Sequence, residues 1–300
     1  MTGNTGNTGN TGNTGNTGNT GNAGAAGLSG ELGGGWFIND RIDFPFVTEL
    51  DPNSNQELGL IPRQGALSFK SENWSAKWYA WKVLHQFVGE NWLAAAEPAM
   101  QAIVDADPFA GEVEELFLAA RDERADAMGA IQSQAVEFIT DYMALLAMTP
   151  ASHPNTYRIL HIASLIGSYT ALYFKHKHNI QRPSQLVPAL LPPIPMPGHA
   201  SFPSGHATQA HLMTRCLDAV FTAANLSAFD HALLLSNIGR LADRVARNRV
   251  IAGLHYPSDS VGGRTLAQHV FAVLGTLSTF VEVCDAAADE WRPGGNGDAG

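Results

Sequence analysis

The sequence is poor in cysteine, in positive charge and in uninterrupted apolar runs. Cys216 and Cys284 are its only cysteines, in no CxxC or metal-type spacing. That excludes a disulfide-built scaffold and leaves two buried or free thiols. Eighteen Lys and Arg stand against 28 Asp and Glu, a formal net charge of −10 with no basic run, which argues against a general nucleic-acid binder. The longest apolar uncharged stretch, 159–174, contains His161 and Ser164 and is shorter than the roughly 20 residues of a membrane span. The stretch 266–281 carries Gln268, His269 and several Thr and Ser, so both read as core helices of a soluble protein without a membrane span. No basic n-region or apolar h-region opens the chain, so no secretory signal is visible and a cytoplasmic location is the expectation. Strand patterns are almost absent.

What is present is 45% hydrophobic and 15% charged sequence, suited to one sizeable globular domain plus a tail. Residues 2–22 are seven Thr-Gly-Asn triplets, followed by Ala/Gly-rich sequence, and lack apolar surface to offset the entropy of ordering. Residues 1–35 are therefore expected to be a flexible tail, and without proline in the repeats not a collagen. Residues 36–71, rich in Pro, Asn and Gly, read as an irregular arm packed on the domain. From 72 to 293 the pattern is helical. Trp74, Trp78 and Trp81, at three- and four-residue steps, suggest a core stripe. Residues 112–148 predict one long or two consecutive helices, and 155–181 another, closed by Pro183. The Pro-rich loop 188–203 is long enough to suggest function. Helical patterns resume over 205–225, 228–252 and 257–291. The class is all-α, a bundle of about six to eight helices with a flexible N-terminal tail.

Three distant segments carry chemistry-bearing residues. In Lys175-x6-Arg182-Pro183 the spacing is close to two helical turns, which would place both cations on one face near a helix C-terminus. The plain alternative is a solvated basic patch. In Pro203-Ser204-Gly205-His206, Ser204 is a helix N-cap candidate, Gly205 allows close backbone approach to an anion, and His206 falls in the first turn. An ordinary cap with a surface histidine fits equally. In Arg249-x5-His255-x3-Asp259, Gly253 permits a turn, Pro257 starts a helix, and Asp259 can accept from one nitrogen of His255, freeing the other. Three cations gathered in an acidic chain, with a serine–glycine turn and two histidines, match what a tetrahedral oxyanion requires.

The order and spacing of these segments resemble the superfamily that joins type-2 phosphatidic acid phosphatases, bacterial acid phosphatases and vanadium-dependent haloperoxidases. The resemblance covers about residues 169–263. It implies that Lys175, Arg182, Ser204, Gly205 and Arg249 hold the oxygens of phosphate or vanadate and that His206 is the acid–base residue. It also implies that His255 is either the phosphorylated nucleophile or the vanadium ligand, oriented by Asp259. One departure is Asn248, where the pattern often has Ser; its amide can still donate.

His199, seven residues before His206, resembles the algal bromoperoxidase pattern, in which a histidine lines the halide side and chloroperoxidases carry Phe. Leu172 is not the Trp or Arg that some peroxidases place one turn before the lysine. Three functions follow as expectations. One is a haloperoxidase with vanadate as cofactor, using peroxide and halide, bromide above chloride. Another is a cofactor-free soluble acid phosphatase acting on phosphomonoesters, and the last a helical binding protein with an idle motif. Self-association is left open.

Overall fold

Why the chain folds into packed helices is plainest at the segment opened by Pro154. A proline at the first helical position has no amide to waste, and it opens a 25-residue helix rich in apolar side chains. The computed structural model describes residues 52–55 and 69–292. The expected tail, 1–35, and nearly all of the 36–71 arm lie outside these residues. The chain divides into two units, one spanning 24–74 and another that includes 75–292. In the first, Ser71–Asn73 form a 3₁₀ turn, and Phe69 meets Trp74 edge-on at 5.9 Å.

The second unit is all-α. Its α-helices are α1 (Ala76–Val88), α2 (Trp92–Asp105), α3 (Val113–Asp122), α4 (Arg124–Val136), α5 (Ile139–Leu145), α6 (Pro154–His178), α7 (Pro183–Leu186), α8 (Gly205–Ala223), α9 (Ala228–Ile251), α10 (Pro257–Leu274) and α11 (Ser278–Asp289). No strand occurs among the described residues. Helix α8 is the hub, packed against α6, α9, α10 and α11, while α1 lies on α6 and α2 on α10. Its Ala207, Ala210, Leu212, Met213, Leu217, Val220 and Phe221 are buried, so α8 is apolar nearly all round, as a central helix must be. Cys216 and Cys284 are free and buried, as expected. No single helix among the described residues is long and apolar enough to cross a membrane.

Several expected boundaries move. The 112–148 region breaks into a 3₁₀ turn (Phe109–Glu112) and three helices, because α3 ends at Glu123 and Glu137 is extended. Helix α6 stops at His178, three residues before 181, since Asn179 adopts the left-handed conformation (φ 51°) and donates its N–H to the Lys175 carbonyl. The 257–291 helix breaks between α10 and α11, which bend by 97°. The tryptophan stripe is not core: Trp78 is 58% and Trp81 44% exposed. Helix α1 carries two apolar stripes, and the one containing Tyr79, Ala80, Val83, Leu84 and Phe87 is buried instead. Trp92 is buried, stacked on Phe87 and edge-on to Phe174.

Glu290 anchors the start of α6. Its carboxylate accepts from the Asn155 and Thr156 amides (2.7 and 2.9 Å) and from the Thr156 hydroxyl (2.7 Å), satisfying donors that a helix N-terminus leaves open.

Candidate functional site

Helices α8 and α10 begin side by side, and that junction organises the site. The Ser204 amide donates to the Asp259 carbonyl at 2.9 Å, and Ser204 Oγ caps α8 by accepting from the Ala207 amide. The approach is so close that a Cβ on Gly263 would lie 2.7 Å from Ala207 Cβ and 2.8 Å from Ser204 O. The first two amides of α8, Gly205 and His206, find no acceptor among the described residues and keep the positive end of the helix available.

The turn between α9 and α10 sets the third segment. Gly253 has φ +74°, a conformation glycine takes without steric cost. Arg124, from the start of α4, donates to the carbonyls of Ile251, Leu190 and Leu191, tying this turn to the Pro-rich loop. Glu112 accepts from the Ser258 amide (3.1 Å) and hydroxyl (2.8 Å), holding the first turn of α10.

A cavity of about 290 Å³ opens where these elements meet. Lys175, Arg182, His199, Gly205, His206, Arg249 and His255 all line it. Ser204 is buried beneath as the α8 cap, and Asp259 lies behind His255. All the residues singled out in the sequence are therefore brought together. The route for Arg182 differs from expectation: α6 has ended, and Arg182 reaches the cavity from the N-cap of α7 rather than from the Lys175 helix face. Asn248 also differs. Its side-chain amide donates to Gln134 Oε1 at 2.8 Å and it does not line the cavity.

His255 Nδ1 lies 2.8 Å from Asp259 Oδ2, and its Nε2 lies 3.4 Å from Arg182 Nη1. A carboxylate can only accept, so Nδ1 carries the proton and Nε2 keeps its lone pair. Asp259 Oδ2 also accepts from Ser201 Oγ (2.5 Å) and from the Tyr256 amide (3.0 Å). The sequence reading missed Ser201, for which a lone serine in a Pro-rich loop offers no signal. Burial pushes the Asp259 carboxyl up to about 6, against Lys175 and the Ser201 hydrogen bond, so it remains ionised at neutral pH. Burial, then Arg182 and Lys175, hold the His255 imidazole well below its usual value.

The cations divide into two kinds. Lys175 Nζ donates to the carbonyls of Ala200 (2.9 Å) and Ser201 (2.5 Å). Arg182 donates to the carbonyls of His199 and Leu254, both at 2.9 Å. These two clamp the loop ahead of α8 while lining the cavity. Arg249 is less engaged: Nη2 donates to the Ile131 carbonyl at 3.0 Å, but its buried Nε has no partner among the described residues. Burial lowers both guanidinium groups to about 10 and Lys175 well below the usual lysine value, Arg182 adding to the latter. Three buried cations faced by Asp259 leave an excess of positive charge, which is costly without an anion.

His206 and His199 also line the cavity. His206 Nε2 is 2.9 Å from the Gln134 carbonyl, so it carries the proton and Nδ1 is the free base. His206 packs on Phe138 at 5.4 Å between ring centres, and burial with the Arg249 charge lowers it to about 3. His199 Nδ1 lies 3.0 Å from Arg182 Nη2, which can only donate, and 3.1 Å from the Ala200 carbonyl, which can only accept, so the two contacts call for opposite tautomers. Burial, then Lys175 and Arg182, lower His199 to about 4.

The donor set suits a tetrahedral trianion. It offers an orphaned Arg249 Nε, two free helix amides, further cations and an imidazole lone pair whose other nitrogen is fixed. A vanadate needs only that one nitrogen, so the lack of a cluster of three or more His, Cys, Asp or Glu among the described residues does not bear on it. No protein-family model matches the chain, and no curated protein matches it either.

Proposed function

We propose that this protein is a vanadium-dependent haloperoxidase-type enzyme, oxidising halide, bromide above chloride, with hydrogen peroxide. The observation that carries the reading is His255. Its Nδ1 is held by Asp259 at 2.8 Å while Nε2 faces a cavity also lined by Lys175, Arg182 and Arg249.

His255 Nε2 would ligate vanadate, with Arg182, Arg249, Lys175 and the Gly205 amide around its oxygens. Bound vanadate supplies Lewis-acid activation of peroxide toward halide without itself changing oxidation state. The chain supplies the rest. Asp259 keeps the proton on Nδ1 and offsets part of the cationic charge. His206, unprotonated in the cavity at neutral pH, accepts a proton from entering peroxide at Nδ1. His199, which lines the same cavity, would stand on the halide side.

A second reading, an acid phosphatase, uses the same groups: His255 Nε2 attacks phosphorus and His206 protonates the leaving alcohol. It is favoured by the response of His206 to charge. An anion beside it would oppose the Arg249, Lys175 and Arg182 charges that lower it and so promote its acid form. We rank the peroxidase first on the neutral state of His206, suited to accepting a proton, and on His199 beside Arg182.

Purified protein incubated with orthovanadate, peroxide, bromide and a diketone acceptor should brominate the acceptor. Hydrolysis of a phosphomonoester without vanadate, and no bromination after loading, would transfer the assignment to the phosphatase. Neither activity would leave a binding protein.

A further inference from the structure

The cavity lining is of two unlike kinds. One carries the cations, the imidazoles and the α8 amides. The other is formed by Leu172, Ile194, Pro195, Met196, Pro197 and Leu254. Among its side chains only Met196 takes a hydrogen bond, its sulfur accepting from Ser184 Oγ at 3.4 Å, and its two prolines also lack a backbone donor. Ser168, which adjoins it, already donates its hydroxyl to the Ser164 carbonyl at 2.9 Å.

We infer that the cavity binds an organic substrate with a ring-sized apolar group, seated against the Leu172–Met196 wall while its polar end meets the cationic lining. The inference rests on the oxyanion reading above and names the kind of molecule that shares the site with the anion. Size supports it. An apolar cavity of about 150 Å³ accepts a benzene ring, so 290 Å³ has room for a ring and an oxyanion together. Chemistry supports it too. A sugar or polyol group on this wall would lose its water partners without replacing them, whereas an aryl or short branched alkyl group loses nothing by leaving water. Leu172 and Met196 are 41% and 45% exposed, so apolar surface extends from the cavity to solvent.

The test is calorimetric titration of the full chain, without vanadate, using inorganic phosphate, methylphosphonate and phenylphosphonate. Phenylphosphonate should bind at least tenfold more tightly than methylphosphonate, about 1.4 kcal/mol. In Leu172→Ser and Met196→Ser the preference should fall below about threefold, with phosphate affinity within about twofold of the parent, by removal of apolar area alone. Both positions are partly exposed, and a melting curve for each variant checks that it is folded. Phosphate binding with equal affinity for the two phosphonates would overturn the inference and leave the oxyanion site standing. So would a phenyl preference that survives in both variants. Binding of none of the three probes would overturn the oxyanion reading, and this inference with it.

Discussion

Arg249 separates a site built for an anion from a structural cation. The change to make is Arg249→Met, which keeps an unbranched apolar stem and removes the charge. In the protein Arg249 is 1% exposed, and burial brings its guanidinium from the ordinary arginine value near 12.5 to about 10. At about 1.36 kcal/mol per pH unit, the folded state disfavours this charge by about 3 kcal/mol. The variant also loses the hydrogen bond to the Ile131 carbonyl, costing about 1 kcal/mol. The net expectation in anion-free buffer is a gain of about 1–2 kcal/mol, or about 2–8 °C in melting temperature for a domain of this size. Phosphate at about 100 times its dissociation constant should stabilise the parent by about 2.7 kcal/mol and the variant hardly at all. Differential scanning calorimetry with and without phosphate reads both effects. A variant that melts several degrees lower without anion, yet keeps the full phosphate response, would refute the reasoning and make Arg249 structural.

Replacing His255 by Ala should abolish turnover in the bromination and phosphatase assays alike, while Asp259→Asn should retain anion binding and lose about 10- to 100-fold in turnover through misorientation of the imidazole. Acid should unfold the protein: His161, His199 and His211 are lowered to about 4 and His206 to about 3, so their stabilisation is complete above about pH 6.5 and is lost as pH falls toward those values. At pH 5.5 that is about 1.4 kcal/mol each, opposed by about 1 kcal/mol from Asp259, whose raised carboxyl takes up a proton near pH 6; circular dichroism melts at pH 7.5 and 5.5 test it, and equal melting temperatures would contradict it. Gly263→Ala should cost about 1–3 kcal/mol and weaken phosphate binding, because the new Cβ must push α10 away from Ser204; unchanged calorimetric values would contradict the close approach. His199→Phe should shift halide preference from bromide toward chloride in steady-state assays, and an unchanged bromide-to-chloride ratio would remove His199 from the halide side.

The helices were legible because amphipathic periodicity and Pro or Gly punctuation mark them: Pro257 sits at the first helical position and Ser204 is the cap, as their sequence suggests. The misreadings share a cause, since local pattern does not say which face tertiary packing will choose. On α1 the Tyr79–Phe87 stripe displaced the tryptophans, and at Asn179 a left-handed cap ended α6 before Arg182. The ionisable groups of the candidate site were visible because few residue types provide cationic charge or an imidazole lone pair. What orients them was hidden. The Gln134 and Ile131 carbonyls reach His206 and Arg249 across long sequence separations, and a backbone carbonyl has no signature in sequence. Ser201 and Glu112 likewise act through α10 rather than in a motif of their own.

The central claim, that His255 presents Nε2 to an oxyanion among Lys175, Arg182 and Arg249, is tested most directly by a crystal structure of the protein soaked in orthovanadate. The account predicts vanadium bonded to His255 Nε2, with its oxygens against Arg182, Arg249 and the Gly205 amide and the Asp259 contact to Nδ1 intact. Vanadate bound elsewhere, or no vanadate in the cavity at saturating concentration, would contradict it.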